Sequence, residues 1–120
     1  MSGRILVLGS RGLLGRSLLA AARAAGEEAA GFDLPDCDIA EPASVFRRLQ
    51  EVRPALIVNA AAATDVDRCE REPEFAFRAN ALGPLVLARA AAQCSARLVH
   101  LSTDYVFSGT KGAPYDELDE

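Results

Sequence analysis

The chain has 120 residues, of which half are apolar and a quarter are charged, and its formal net charge is −4. This length suits one domain with a substantial core, and the composition is ordinary for a globular protein. The acidic balance and the lack of a basic block argue against nucleic acid as a partner, and no apolar run is long enough to suggest a membrane span.

The first half of the chain alternates predicted strands with predicted helices. Three apolar segments predict strands, at residues 4–8, 28–33 and, very short, 37–39. Two segments with helical spacing predict helices, at residues 13–25 and 42–52. Gly26 is a stop signal for the first helix, and Pro42 suits the first position of the second.

The second half continues the alternation. Two further strands are predicted, at residues 55–60 and 97–101. A polar connection at 64–71 precedes a long helix at 73–93, and residues 109–120 form a loop or tail.

Strands that alternate with helices indicate a parallel sheet joined by right-handed crossovers. The expected fold class is therefore α/β, a doubly wound parallel sheet with five strands in the order 3-2-1-4-5, formed by one domain of residues 1–120. In such sheets the ligand binds beyond the carboxyl ends of the strands, where the strand order reverses between strands 1 and 4.

A glycine-rich loop follows the first strand and opens the first helix, with Gly9, Gly12 and Gly15 in the pattern G-x-x-G-x-x-G. These glycines permit a tight turn, close approach of the backbone to a pyrophosphate, and close helix–strand packing. The free N–H groups of the helix N-terminus favour the anion. The loop predicts a dinucleotide site, and a purely structural turn is the alternative.

The residues around this loop leave the choice between NADPH and NADH open. Asp33, at the end of the second strand, suits the ribose hydroxyls of NAD and repels a 2′-phosphate. Arg11 favours the opposite choice if its guanidinium neutralises that phosphate, and it is otherwise a solvated surface residue. Asp38 and Ile39 would flank the adenine or form a plain turn.

Two features of the second half suggest further contacts with a ligand. Residues 60–63 are all alanine, and small side chains let the backbone lie against an extended ligand, unless they serve packing alone. Pro84, inside the long helix, has no N–H for the carbonyl of Asn80. We expect a kink that frees this carbonyl for water or a ligand, or a kink that serves only packing.

The last predicted strand changes abruptly from apolar residues to Ser102, Thr103 and Asp104. This change is typical of a buried parallel strand whose carboxyl end opens into an active site.

The three cysteines are odd in number, and none belongs to a C-x-x-C pair. Neither a zinc site nor a disulfide framework is indicated, so we expect no metal ligands. The N-terminus does not resemble a signal peptide, and reduced thiols in the cytoplasm are the expectation.

These motifs together resemble the extended short-chain dehydrogenase/reductases and, within them, the dTDP-4-dehydrorhamnose reductase family. The matching blocks are the glycine loop at 9–15, residues 58–74, the Ser-Thr-Asp-Tyr-Val-Phe block at 102–107, and residues 114–117. The resemblance covers nearly the whole chain. It implies a Rossmann domain and NAD(P)H-dependent reduction of the nucleotide sugar dTDP-4-dehydro-6-deoxy-L-mannose to dTDP-L-rhamnose.

The resemblance also implies roles for individual residues. Those that would contact the cofactor are Gly12, Leu13, Leu14, Asp33, Asp38, Ile39, Ala62, Ala63, Thr64 and Leu101. Leu101 would lie beneath the nicotinamide, and the Asn80 carbonyl would support a proton relay. Thr103 would polarise the substrate ketone as the catalytic hydroxyl, and Asp104 would contact the sugar nucleotide. A homodimer that pairs with the help of Mg²⁺ is implied by the resemblance alone.

The sequence departs from the family pattern in two ways. Ala63 stands where the family has an aromatic residue or histidine. The family's Tyr-x-x-x-Lys pair, whose tyrosine donates the proton, does not occur among the 120 residues. We therefore expect a chain that ends before this pair and before the sugar-binding region, and that binds the cofactor without turnover. The alternatives are a non-catalytic nucleotide-binding regulatory module, and a reductase or epimerase of another nucleotide sugar.

Overall fold

Four parallel strands organise residues 3–120, the part of the chain that the computed structural model describes. The strands are β1 (Ile5–Leu8), β2 (Ala29–Phe32), β3 (Leu56–Asn59) and β4 (Arg97–His100). Their order is β2-β1-β3-β4, which is the predicted order without its third strand.

The register of the strands determines which segments of the chain meet at one edge of the sheet. Leu8 pairs with Phe32 on one side and with Asn59 on the other, and Asn59 pairs with His100. All four strands therefore end at the same edge of the sheet. The segments that follow them are brought together at that edge, where ligands of open α/β sheets bind.

The helices begin and end where the sequence supplies local signals. They are α1 (Leu13–Ala24), α2 (Pro42–Val52), α3 (Val66–Arg71), α4 (Pro73–Phe77) and α5 (Gly83–Gln93). Pro42 begins α2, and Arg53 ends it in the left-handed conformation with φ of 50°. The Asp65 side chain accepts the N–H of Arg68 and caps α3.

The core lies mainly between one face of the sheet and the helices α2 and α5. Leu6, Leu8 and Ile57 from the strands pack there with Leu49 of α2 and Leu87 of α5, all with no more than 2% of their surface exposed. Successive strand residues point to opposite faces, so Val7 faces the side where α1 contacts β1 and β2. Helices on both faces confirm the doubly wound α/β prediction.

The predicted third strand at residues 37–39 is wrong. In the described chain this segment turns back on itself instead of pairing with β2. The Cys37 N–H donates to the Asp33 carbonyl, and the Asp38 carboxylate accepts the N–H of Ala40. Local turns therefore take the backbone hydrogen bonds that a strand would have offered to β2.

Two other predictions need correction. The polar connection predicted at 64–71 contains the short helix α3. The long helix predicted at 73–93 consists of α4, a π-helical turn at Arg78–Leu82, and α5. The irregularity expected near Pro84 is present, but it takes the form of a wider turn that closes just before Gly83.

Two absences hold within residues 3–120. No helix there has the length and apolar character that crossing a membrane requires. No three side chains of His, Cys, Asp or Glu come together in a group that could hold a metal ion.

The complete burial of Leu87 predicts a strong effect of truncation. Leu87→Ala leaves a cavity between α5 and the sheet, and we expect it to lower the free energy of unfolding by about 2–5 kcal/mol. Leu118→Ala removes the same atoms from a side chain that is 94% exposed, and it should change stability by less than about 0.5 kcal/mol. Urea unfolding of both variants measures the difference, and equal effects would contradict the described core.

Candidate functional site

A cavity of about 370 Å³ lies beyond the carboxyl ends of β1, β2 and β3. Its lining includes seven residues predicted as cofactor contacts, namely Gly9, Gly12, Asp33, Asp38, Ile39, Ala62 and Ala63. The remaining lining residues are Leu34, Cys37, Ala60, Ala61, Phe75, Arg78 and Ala79. The tertiary structure thus brings together segments that follow three different strands.

The glycine loop depends on backbone contacts that a side chain would prevent. Gly9 has φ of +75°, and a Cβ there would lie 2.5 Å from the backbone nitrogen of Ala61. Gly15 packs against the Gly9 carbonyl so closely that a Cβ would overlap it. These two glycines therefore hold the loop tightly between β3 and the start of α1.

Gly12 differs from its two neighbours in the motif. Its backbone is extended, with φ of −72° and ψ of 172°, so other residues can adopt its conformation. A Cβ there would approach only the Gly9 carbonyl oxygen, at 3.3 Å. The missing side chain at Gly12 therefore leaves open space at the N-terminus of α1, on the wall of the cavity.

Asp33 fastens the glycine loop to the end of β2. One carboxylate oxygen accepts the backbone N–H of Arg11 at 2.9 Å, and the other accepts that of Leu34 at 2.9 Å. Each oxygen keeps a further lone pair, so the carboxylate can still accept hydrogen bonds from ligand hydroxyls.

The Arg11 side chain lies at the rim, close to Asp33. Its guanidinium donates to the Leu34 carbonyl at 3.0 Å and to the Asp36 carboxylate at 3.0 Å. The side chain is 64% exposed and does not line the cavity. The rim thus carries one cation paired with Asp36 and a second carboxylate, Asp33, bonded to the Arg11 backbone, so an approaching phosphate meets both signs of charge.

Two asparagine side chains hold the segment that leaves β3. Asn59, 1% exposed, accepts the N–H of Ala61 at 3.1 Å. Asn80 accepts the N–H of Ala63 at 2.8 Å and donates to its carbonyl at 3.0 Å. Side-chain amides therefore bond the backbone of the alanine run at Ala61 and Ala63, past the end of β3.

The geometry therefore supports a role for the side chain of Asn80, which holds the backbone of Ala63. The sequence pointed to its backbone carbonyl, and the bonds to Ala63 were not foreseen. The side chain of Asn59 also donates to Nδ1 of His100 at 3.1 Å, which makes that nitrogen an acceptor and links β3 to β4.

The polar residues that follow β4 lie outside the cavity. The Thr103 hydroxyl accepts the N–H of Tyr105 at 3.2 Å and donates to the Asp104 carboxylate at 3.3 Å. Both side chains are exposed, and Leu101 is 42% exposed. Leu13, Leu14 and Thr64 are also exposed and outside the cavity lining. The structure therefore groups Gly12 and the residues expected near adenosine with Ala62 and Ala63 of the alanine run, and it leaves Thr64, Leu101 and the polar residues after β4 outside the cavity lining.

One wall of the cavity was missed because it comes from α4 and the turn after it. Phe75, Arg78 and Ala79 are spaced three and four residues apart, so they lie on one helical face. That spacing was readable in the sequence. Their position opposite Asp38 was not, because it depends on how α4 packs.

Two titratable groups in the lining have shifted pKa values. Burial raises the pKa of the Cys37 thiol, which therefore stays protonated near neutral pH. Hydrogen bonds to Glu41 and Asp38 raise the pKa of Arg78 further above its already high value. The cavity therefore contains a neutral thiol and a permanent cation beside carboxylates.

Comparisons with known proteins agree with this fold. The sequence model of the family described as RmlD substrate binding domain matches residues 3–120. A dTDP-4-dehydrorhamnose reductase of Mycobacterium tuberculosis is 40% identical over 123 residues, covering 99% of this chain and 40% of that protein.

Two solved structures are also similar. That of dTDP-4-dehydrorhamnose reductase from Bacillus anthracis in complex with NADP is 36% identical, with a TM-score of 0.90, over 98% of this chain and 42% of that one. That of UDP-glucose 4-epimerase from Thermus thermophilus in complex with NAD is 29% identical, with a TM-score of 0.78, over 83% of this chain and 37% of that one.

The chain spans about 40% of the length of the curated reductase it matches. Within that span the family match covers all of residues 3–120, from the glycine loop to the segment after β4. The chain belongs to the RmlD substrate binding domain family.

Proposed function

We propose that the chain forms the cofactor-binding part of an NAD(P)H-dependent reductase that converts dTDP-4-dehydrorhamnose to dTDP-L-rhamnose. The observation that carries the proposal is the open face of Gly12 on a cavity at the reversal point of the strand order. The similar dTDP-4-dehydrorhamnose reductases suggest the substrate class, a nucleotide sugar with a keto group.

The residues around the cavity suit a nicotinamide dinucleotide. The volume of about 370 Å³ falls in the range typical of ligand pockets, roughly 300–1,000 Å³. Leu13 and Leu14, in the first turn of α1, would hold the pyrophosphate with backbone N–H groups. Gly12, whose own N–H donates to the Gly9 carbonyl at 3.1 Å, would contact the pyrophosphate through the space that its missing side chain leaves. Asp33 would accept ribose hydroxyls, and Asp38 with Ile39 would hold the adenine.

The nicotinamide half would lie along the segments that follow β3 and β4. We propose that Ala62, Ala63 and Thr64 line it and that Leu101, 42% exposed here, packs beneath its ring. Asn80 would act by keeping Ala63 in place through the two hydrogen bonds described above. When bound, the cofactor supplies the hydride for the reduction.

Thr103 is suited to polarise the ketone of the substrate. The N–H of Tyr105 holds the hydroxyl oxygen, while the hydroxyl hydrogen makes only a long contact of 3.3 Å with Asp104. A ketone oxygen nearby would compete for that hydrogen, because the hydroxyl can rotate without moving its oxygen. Asp104, released from this contact, would accept hydroxyls of the sugar nucleotide.

The rim of the site favours use of both NADPH and NADH. Arg11 attracts a 2′-phosphate, whereas Asp33 and Asp36 repel it and suit the free ribose hydroxyls.

The three cysteines are free thiols, as in proteins of a reducing compartment, and we infer a cytoplasmic location.

Gly12→Val tests whether the cavity binds the dinucleotide. Valine can adopt the extended backbone at this position, and its side chain would occupy the space left for the pyrophosphate. We expect at least about a tenfold loss of NADPH affinity in calorimetric titration, since about 1.4 kcal/mol is lost with the blocked contacts.

The matched control is Ala20→Val, which adds bulk at an exposed position of the same helix. This variant should bind NADPH as the unchanged protein does. Undiminished binding by Gly12→Val, with its fold intact by circular dichroism, would overturn the proposed site.

Cys37 provides a second test within the unchanged chain. Its raised pKa and its burial predict slower alkylation by iodoacetamide than at Cys94, which is exposed. The rate of Cys37 alkylation should still rise with pH where the alkylation rate of an ordinary thiol has become constant. Because Cys37 lines the cavity, NADPH should slow its alkylation further while leaving Cys94 unchanged. Mass spectrometry of the two sites measures this, and equal protection of both would contradict the prediction.

Turnover by the chain alone should be very slow. The 120 residues contain Thr103 but no Tyr-x-x-x-Lys pair, and loss of a general acid lowers rates by about 10²–10⁴-fold. With NADPH and dTDP-4-dehydrorhamnose, we expect the chain to bind NADPH without oxidising it at a robust rate. The absorbance of NADPH measures that rate. Rapid oxidation would show that the chain carries a proton donor of its own.

A further inference from the structure

Arg78 joins two elements that both border the cavity. It begins the π-helical turn, and one nitrogen of its guanidinium donates to Asp38 at 2.8 Å and to Glu41 at 2.7 Å. Asp38 lies on the loop that connects β2 to α2, and Glu41 is the residue just before α2. A single side chain therefore ties both ends of residues 38–41 to the long helical segment.

The loop it holds is anchored by the buried side chains of Ile39 and Ala40, but its polar ends have few other partners. Residues 38–41 are not part of the sheet, so no neighbouring strand fixes their backbone. The Asp38 carboxylate uses one oxygen for the N–H of Ala40 and the other for Arg78. The backbone N–H of Asp38 is bonded to the Ser44 hydroxyl at 3.1 Å, which links the loop only to its own helix.

The backbone of Arg78 also helps to position residues 38–41, through Gly83. Its carbonyl accepts the N–H of Gly83, which closes the wide turn. Gly83 in turn has no Cβ at the point where Ile39 packs, since a Cβ would lie 2.5 Å from Cδ1 of Ile39. Ile39 is 8% exposed and lines the cavity. The π-helical turn thus contacts the loop through both a side chain and a close backbone approach.

We infer that Arg78 is a positioning residue for nucleotide binding, which holds the Asp38–Glu41 loop as the wall that receives the adenosine half of the ligand. This inference rests on the proposed function, since it assigns a task within the same cavity. Arg78 would act by fixing Asp38 and Ile39. π-Helical turns of this kind are frequent at functional sites.

A plain surface ion pair would have different consequences. The Arg78 side chain is 46% exposed, and exposed pairs contribute little to global stability. A positioning role instead predicts that affinity for an adenosine-containing ligand changes more than stability does. It also predicts that another cation at this position restores part of the affinity, because lysine can still pair with the two carboxylates.

The test compares Arg78→Gln, Arg78→Lys and Arg89→Gln in the full chain. Arg89 is an exposed arginine on α5, so its replacement makes the same change of charge outside the cavity. We expect Arg78→Gln to weaken binding of both ADP-ribose and NADPH about three- to tenfold, as the loss of two exposed charge pairs implies. Arg78→Lys should recover part of the loss, and Arg89→Gln should bind both ligands as the unchanged chain does.

Glu41→Gln provides a second variant in case Arg78→Gln does not fold. It removes one of the two anchors without altering a residue of the cavity lining, and about two- to threefold weaker ADP-ribose binding is expected. The inference is overturned if these variants bind ADP-ribose with unchanged affinity, or if lysine at position 78 binds no better than glutamine. If the unchanged chain binds no ADP-ribose, the proposed function itself fails and this inference falls with it.

Discussion

The close approach of Gly9 to the segment leaving β3 is the contact on which the site depends. A Cβ at Gly9 would lie 2.5 Å from the nitrogen of Ala61, so only glycine lets the two strand exits touch. Gly15 then packs against Gly9 and places the start of α1 directly over the loop. This stacking puts the open face of Gly12 on the cavity wall, where an anion would meet free backbone N–H groups.

The site is then completed by side chains that hold neighbouring segments in place. Asp33 holds the glycine loop, Asn59 and Asn80 hold the alanine run, and Arg78 holds the loop before α2. Each of these segments lies beyond the end of a strand, where sheet hydrogen bonds no longer continue. Buried or ligand-facing backbone groups need partners, which Asp33, Asn59 and Asn80 provide, whereas Arg78 acts through two carboxylates.

Charge is distributed so that opposite signs alternate around the cavity. The Arg11 guanidinium pairs with Asp36, near Asp33, and the Arg78 guanidinium pairs with both Asp38 and Glu41. Each pair is exposed and contributes little to stability alone. Their effect is local: Arg78, for example, orients a loop whose buried anchors, Ile39 and Ala40, belong to the core.

Local patterns in the sequence were enough for most of the fold. The helix at Pro42–Val52 and the parallel strand order follow from proline position, apolar runs and strand–helix alternation. The third strand failed as a prediction because Asp33 and Asp38 offered the backbone nearby partners that competed with β2. The helix α3 was missed because its polar residues show no apolar face, and its cap at Asp65 carries the signal.

By itself, the sequence located the glycine loop, the acid after β2 and the alanine run, and these predict the chemical class of the ligand. Those features are contiguous, and their meaning depends on local backbone geometry. Only the tertiary structure decided that the side-chain amide of Asn80 bonds to the backbone of Ala63 and that Arg78 donates to Asp38. Both contacts join residues far apart in the chain, and they depend on how the helical segments after β3 pack against the sheet.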